Sequence, residues 1–209
     1  MVFHTFGDSH AEWGWSKIPK VQTHPTHGTL CHSFGRDKLA RVNIASPSHN
    51  VKPGDSVLFL FGEIDCSCHV KKYTTPDYTY KDVINDLVER YFEAIELNRR
   101  QIDSLTVYVC SLPPAVVQST VHYEPDENGR LWLEHRFLGS DEERKQYVLY
   151  FNQKVSELCN RYGYKYFDIH DAYTDENGFL NRKLSCPSVH IKDPIHMIQF
   201  MKDNKISLD

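Results

Sequence analysis

The sequence predicts an α/β protein, a three-layer α/β/α sandwich on a five-stranded parallel sheet. Three observations predict it. Short apolar runs of strand length alternate with longer stretches of helical periodicity, the order that builds a parallel sheet with helices on both faces. The central run, Val57-Leu58-Phe59-Leu60-Phe61, is continuously apolar, as strands buried on both faces are. The length of 209 residues suits one domain, spanning 1–209, with a sizeable core.

The elements follow in order. Val2–Phe6 is the first expected strand and Leu39–Ile44 the second. Val57–Phe61 is the third, Leu105–Cys110 the fourth and Tyr164–Ile169 the fifth. Tyr80–Gln101 carries Val83, Leu87, Tyr91, Ile95 and Leu97-Asn98 at roughly helical spacing. Ser140–Tyr162 opens with Ser140 and Glu143, the two residues of a capping box, and then lines Val148, Phe151, Val155 and Leu158 along one face. A last helix is expected to start at Asp193 as N-cap with Pro194 as its first residue. Pro113–Phe137 fits neither period. It reads as a long loop, or a short hairpin around Asn128-Gly129, of the kind that often borders a binding site.

Composition excludes several classes. A net charge of -4 offers no electrostatic case for nucleic acid. No run of 18 apolar residues exists, so no membrane span is expected. The segment Met1–Phe6 lacks a basic region followed by an apolar one, so a secretory signal is not expected either. The six cysteines, Cys31, Cys66, Cys68, Cys110, Cys159 and Cys186, are not spaced as a disulfide scaffold. They read as reduced thiols, which with the missing signal suggests a cytoplasmic protein.

Gly7-Asp8-Ser9-His10 follows the first strand directly. In an open parallel sheet ligands bind beyond the carboxyl ends of the strands, so Ser9 stands where a nucleophile belongs. Its hydroxyl needs a nearby base, and its own N–H can help hold an oxyanion. The plain alternative is that Asp8 and Ser9 form a turn and cap the next helix.

Several ordered segments extend the case: Gly7-Asp8-Ser9, then Thr26-His27-Gly28-Thr29-Leu30 with Phe34-Gly35-Arg36, then Gly62-Glu63-Ile64-Asp65-Cys66-Ser67-Cys68-His69. Gly139-Ser140, Glu143-Arg144, Asn152 and Asp168-Ile169 follow. Together they resemble a subgroup of the SGNH/GDSL hydrolase superfamily, over most of the chain. The resemblance implies a flavodoxin-like fold and a serine esterase or O-acyltransferase acting on a small ester, such as an O-acetyl group on a carbohydrate. It implies Ser9 as nucleophile, with the N–H groups of Ser9 and Gly28 as oxyanion donors. It implies a histidine base shortly before the last helix. His190 fits that place, while Asp193-Pro194-Ile195-His196 matches the superfamily's Asp-x-x-His spacing literally and leaves His196, with Asp193, as the alternative base.

Two positions depart from the pattern. Ile64 stands where the superfamily has an asparagine whose amide completes the oxyanion hole. Loss of one such donor costs about 100- to 1000-fold in rate. Pro187, not an aspartate, lies three residues before His190. These departures motivate a second reading: a catalytically weak or inactive glycan-binding protein on the same fold.

Asp8, His10, His27, Glu63, Asp65 and His69 are candidate substrate-binding residues by their place beside these blocks. Glu63 has two readings, a partner for a substrate hydroxyl or a turn cap. Cys66, Cys68 and His69 also admit a zinc reading. The C-x-C spacing is tighter than usual for zinc and has no second pair, so neither metal nor cofactor is expected. The expected partner is a small-molecule or glycan ester.

Overall fold

The computed structural model describes residues 1–122 and 137–206. Five parallel strands form one sheet: β1 (Phe3–Gly7), β2 (Val21–Pro25), β3 (Ser56–Leu60), β4 (Thr106–Cys110) and β5 (Lys165–Phe167), in the order β2-β1-β3-β4-β5. That order is the flavodoxin-like one, with its switch point beside β1. Along β1 alternate side chains enter opposite layers. Phe6 packs 6.0 Å from Phe59, while Phe3 stacks at 6.0 Å on Trp15.

One layer holds α1 (Cys31–Asp37), α4 (Tyr80–Arg99) and α5 (Asp141–Tyr162). Phe34 of α1 lies 4.9 Å from Phe61 and 5.9 Å from Tyr91 of α4, and Tyr91 lies 6.5 Å from Phe151 of α5. The opposite layer holds Trp15 and α6 (Ile195–Asp203), whose Phe200 packs 4.0 Å from Phe167 of β5. Two short helices, α2 (Glu63–Cys68) and α3 (Val70–Tyr73), follow β3 at the carboxyl end of the sheet. No helix among the described residues is long and apolar enough to cross a membrane.

The second strand is not where the apolar pattern put it. Leu39–Ile44 is a short 3-10 turn and loop, packed on α4 through a hydrogen bond from Ile44 N–H to the Asn98 side chain at 3.0 Å. The edge position belongs to Val21–Pro25. An edge strand buries little and pairs on one side only, so Gln22, Thr23 and His24 suffice, and Pro25, which has no N–H to donate, is tolerated opposite Gly7.

The capping box of α5 is formed by Ser140 and Glu143, and a second, at Thr79 and Asp82, opens α4. α6 starts one residue later than expected, with Asp193 Oδ1 accepting from Ile195 N–H at 3.0 Å. After β4 the chain has no regular structure from Ser111 to Val117 and is held by Leu112 N–H on Asn152 Oδ1 at 2.7 Å. The hairpin expected around Asn128-Gly129 lies outside the described residues.

Candidate active site

The carboxyl end of β1 delivers Ser9. Gly7 closes the strand against β3, and Asp8 N–H donates to Leu60 O at 3.3 Å. The chain then turns through the 3-10 segment Ser9–Ala11, capped by Asp8 Oδ1 accepting from His10 N–H at 2.9 Å. Asp8 thus takes the capping role its position suggested, and the turn it caps presents Ser9 half-buried at the carboxyl end of β1.

His190 meets it. Its Nε2 lies 2.8 Å from Ser9 Oγ. It sits in the reversal between the Ser185↔Ile191 bridge residues, where Cys186 N–H donates to His190 O at 2.9 Å. The Trp13 ring stacks on the imidazole, centroids 4.9 Å apart and planes 10° from parallel. The His190 Nδ1 side faces Cys186 Sγ at 3.7 Å. His196 lies elsewhere, half-buried on α6 with its ring 5.1 Å from Tyr173. Asp193 holds the start of that helix and accepts Tyr173 OH on its carbonyl at 2.7 Å.

His10 and Asp8 form a buried pair at the base of the site, with Nδ1 to Oδ1 at 3.1 Å. Burial works against a charge on His10. The hydrogen bond and charge of Asp8, with Glu63 nearby and Val189 O at 3.3 Å, outweigh it and raise its pKa to about 9. His10 is therefore an imidazolium, its ring 4.7 Å from that of His190. Burial, then the positive His10 and then His27, push the His190 pKa far below the usual imidazole value, so its ring is neutral. A neutral imidazole has a free nitrogen lone pair with which to accept the Ser9 proton.

The loop after β2 supplies the other wall. Thr26 N–H donates to Gly7 O at 2.7 Å, which fixes this loop beside Ser9. Gly28 turns there with φ of 69°, a conformation that favours glycine, and is exposed. Neither Ser9 N–H nor Gly28 N–H donates to an acceptor among the described residues. His27 is exposed, 3.5 Å from Glu12.

The segment after β3 divides its work. Glu63 is buried and accepts from Ser67 Oγ at 2.5 Å, and its charge acts on His10. Ile64 is buried and has no side-chain donor. Asp65 turns away from the mouth: its carboxylate accepts from Cys31 N–H at 2.7 Å and His32 N–H at 3.1 Å, capping α1, whose own N-cap Leu30 has no polar side chain. Burial pushes its pKa up to about 7 against those two donors. Asp65 and His69 line a cavity of about 270 Å³ between α1, α3 and α4, together with Leu30, Val70 and Leu87. Neither Ser9 nor His190 reaches it. Cys66 and Cys68 are buried within α2, and all six cysteines are free. Among the described residues no three His, Cys, Asp or Glu side chains group as a metal site requires.

Trp13 and Cys186 are the site residues that sequence reasoning missed. The available signal for Cys186 was its place four residues before His190, within a segment bearing Pro187 and no carboxylate.

No family model matches the sequence, and no curated protein matches it. The fold has clear counterparts among solved structures. A GDSL-like lipase from Bacteroides thetaiotaomicron aligns at TM-score 0.58 and 14% identity, over 97% of this chain and 86% of that one. The acetyl xylan esterase AlAXEase aligns at TM-score 0.56 and 14% identity, over 98% of both chains. An extracellular lipase from Streptomyces rimosus aligns at TM-score 0.57 and 11% identity, over 97% and 99%. These likenesses show the fold alone, an α/β sandwich on a five-stranded parallel sheet.

Proposed function

We propose that this chain is a serine esterase or acyl transferase that works through an acyl-enzyme at Ser9. The observation that carries the reading is the 2.8 Å contact between Ser9 Oγ and His190 Nε2 at the carboxyl end of β1. A hydroxyl within reach of a neutral imidazole is the working pair of nucleophilic acyl transfer.

In this reading Ser9 Oγ attacks the ester carbonyl as its proton passes to His190 Nε2. The N–H groups of Ser9 and Gly28 hold the oxyanion, and both are unspent on other acceptors among the described residues. His190 then protonates the departing alcohol. Water, or a second hydroxyl, takes the acyl group by the reverse proton path. Ile64 contributes nothing to the oxyanion, so two backbone donors carry that charge without a side-chain amide.

The substrate is a small ester, an O-acetyl group on a carbohydrate. The family resemblance of the blocks around Ser9, Gly28 and Gly62–His69 supports this. So does Trp13, which is 40% exposed beside the base and offers an aromatic surface to a sugar ring. Asp8 and His10 keep the site's electrostatics, and His27, on the loop that carries Gly28, acts on the His190 ring by its charge.

The test is hydrolysis of a short-chain aryl ester by the wild type and the Ser9→Ala variant. Loss of turnover in the variant is expected. Undiminished turnover would exclude Ser9 as nucleophile. The departures at Ile64 and Pro187 favour one rival, a glycan-binding protein with a lapsed site. It predicts no reaction with a serine-directed phosphonate and retained glycan binding.

A further inference from the structure

We infer that Cys186 orients the His190 imidazole, its sulfur standing where a serine triad has a carboxylate. This rests on reading Ser9 as nucleophile and His190 as its base. The two hydrogen-bond contacts of the ring lie on its two nitrogens: Ser9 Oγ at 2.8 Å from Nε2 and Cys186 Sγ at 3.7 Å from Nδ1, within hydrogen-bond range for sulfur.

The backbone makes this contact a built feature. Cys186 and His190 face each other across a tight reversal, closed by Cys186 N–H on His190 O at 2.9 Å and by the antiparallel bridge of Ser185 with Ile191. Arg182 clamps the reversal from outside, donating to Ser188 O at 2.8 Å, Pro187 O at 2.5 Å and Thr120 O at 3.0 Å. Trp13 fixes the plane of the ring. Cys186 is only 6% exposed, so its sulfur is held in place with little water around it.

The acids near the site are committed elsewhere. Asp8 Oδ1 holds His10, and Glu63 accepts from Ser67. No described carboxylate hydrogen-bonds His190 Nδ1, and the ionisable groups that act on the ring are His10 from the Ser9–Ala11 turn and His27 from the loop after β2. Sulfur is therefore the acceptor at hand.

The consequence is the tautomer. A neutral imidazole can take the Ser9 proton on Nε2 only if its own proton sits on Nδ1. The ring N–H is a far stronger donor than a thiol S–H, so Nδ1–H donates to Sγ and leaves the Nε2 lone pair facing Ser9. When Ser9 attacks, the O–H bond breaks, an N–H bond forms at Nε2, and the Ser9 Oγ electron pair forms the new bond to carbon. The imidazolium keeps its Nδ1–H on Cys186, whose thiol proton does not move.

Two measurements test this. Nitrogen NMR of the wild type reads the tautomer directly, without any substrate. The expected result is a His190 protonated at Nδ1, a preference that weakens in Cys186→Ala. A ring protonated at Nε2 in the wild type would overturn the inference. The second is the rate of Ser9 labelling by a serine-reactive phosphonate across pH, in the wild type, Cys186→Ala, Cys186→Ser and Cys186→Asp, each checked for folding. Cys186→Ala should slow labelling about 10- to 100-fold, as loss of other imidazole-orienting partners does. Cys186→Asp should recover most of that, with Cys186→Ser between. Labelling of Cys186→Ala within twofold of wild type would overturn the role of Cys186 alone. A wild type that never labels at Ser9 would overturn the serine reading and this inference with it.

Discussion

A single methyl group at Gly7 should disturb both the fold and the proposed nucleophile. A Cβ there would lie 2.1 Å from the Leu60 carbonyl oxygen and 2.7 Å from the Ala11 Cβ. Carbon and oxygen approach in proteins to about 3.3 Å, so one side must give by about 1 Å. Neither side is free to do so. The Leu60 carbonyl belongs to β3 and accepts from Asp8 N–H at 3.3 Å, and Ala11 ends the turn that begins at Ser9. Gly7→Ala must therefore pry β1 from β3 at their carboxyl ends or lift the Ser9 turn. Overpacking of this kind costs about 1–3 kcal/mol. For a chain of this size that is a fall in Tm of about 3–10 °C. A displacement near 1 Å at a nucleophile costs up to about 100-fold in rate. Thermal unfolding and the rate of phosphonate labelling at Ser9 read the two effects. A Gly7→Ala variant with a Tm within about 1 °C of wild type and an unchanged labelling rate would refute the reasoning.

Two further outcomes follow from the polar interior. Asp65→Ala removes the acceptor of two backbone N–H groups at the start of α1, that of Cys31 buried, and urea unfolding should show a loss of about 1–3 kcal/mol, partly recovered in Asp65→Asn. His4, His24 and His49 form a hydrogen-bonded chain from Asp55, with Nδ1 of His4 to Nε2 of His24 at 3.0 Å and Nδ1 of His24 to Nδ1 of His49 at 3.1 Å. Burial first, then the two neighbouring histidines, lower the His24 pKa to about 4. The unfolded chain takes up that proton near pH 6.5 and the folded chain only near 4, so the His24 contribution is lost as pH falls between them. A full shift of that size is worth about 3 kcal/mol, and solvent around the half-exposed ring reduces it to about 1–2 kcal/mol. The drop in stability from pH 7 to 4.5 should accordingly be smaller in His24→Phe by about that amount, and an equal drop in both proteins would count against it.

The sheet was legible where strands carry apolar or aromatic residues in a row and obscure where one does not. β1, β3 and β4 carry apolar runs because both of their faces are covered, while β5, at the other edge, is short and buries fully only Phe167. β2 lies at an edge with half-exposed side chains, so Gln22-Thr23-His24 shows no run, while Val42 and Ile44 form an apolar pair that packs as loop against α4. Ser9 was readable because its neighbours in sequence are also its structural setting, the end of a strand and a capped turn. His190 was readable from its place before α6. Cys186 was not, because its meaning depends on a chain reversal and a thiol reads in sequence as a small apolar filler. Asp65 reads as a pocket residue within its string, yet it serves α1, thirty-odd positions upstream. The hint was the absence of any polar N-cap at Leu30.

The central claim is that Ser9 and His190 form a working nucleophile and base. Treating the purified protein with a serine-reactive phosphonate and mapping the adduct by peptide mass spectrometry tests it most directly. The account predicts one adduct per chain, on Ser9, formed far more slowly in His190→Gln than in wild type. An adduct on another residue, no adduct at all, or a Ser9 adduct formed equally fast in His190→Gln would contradict it.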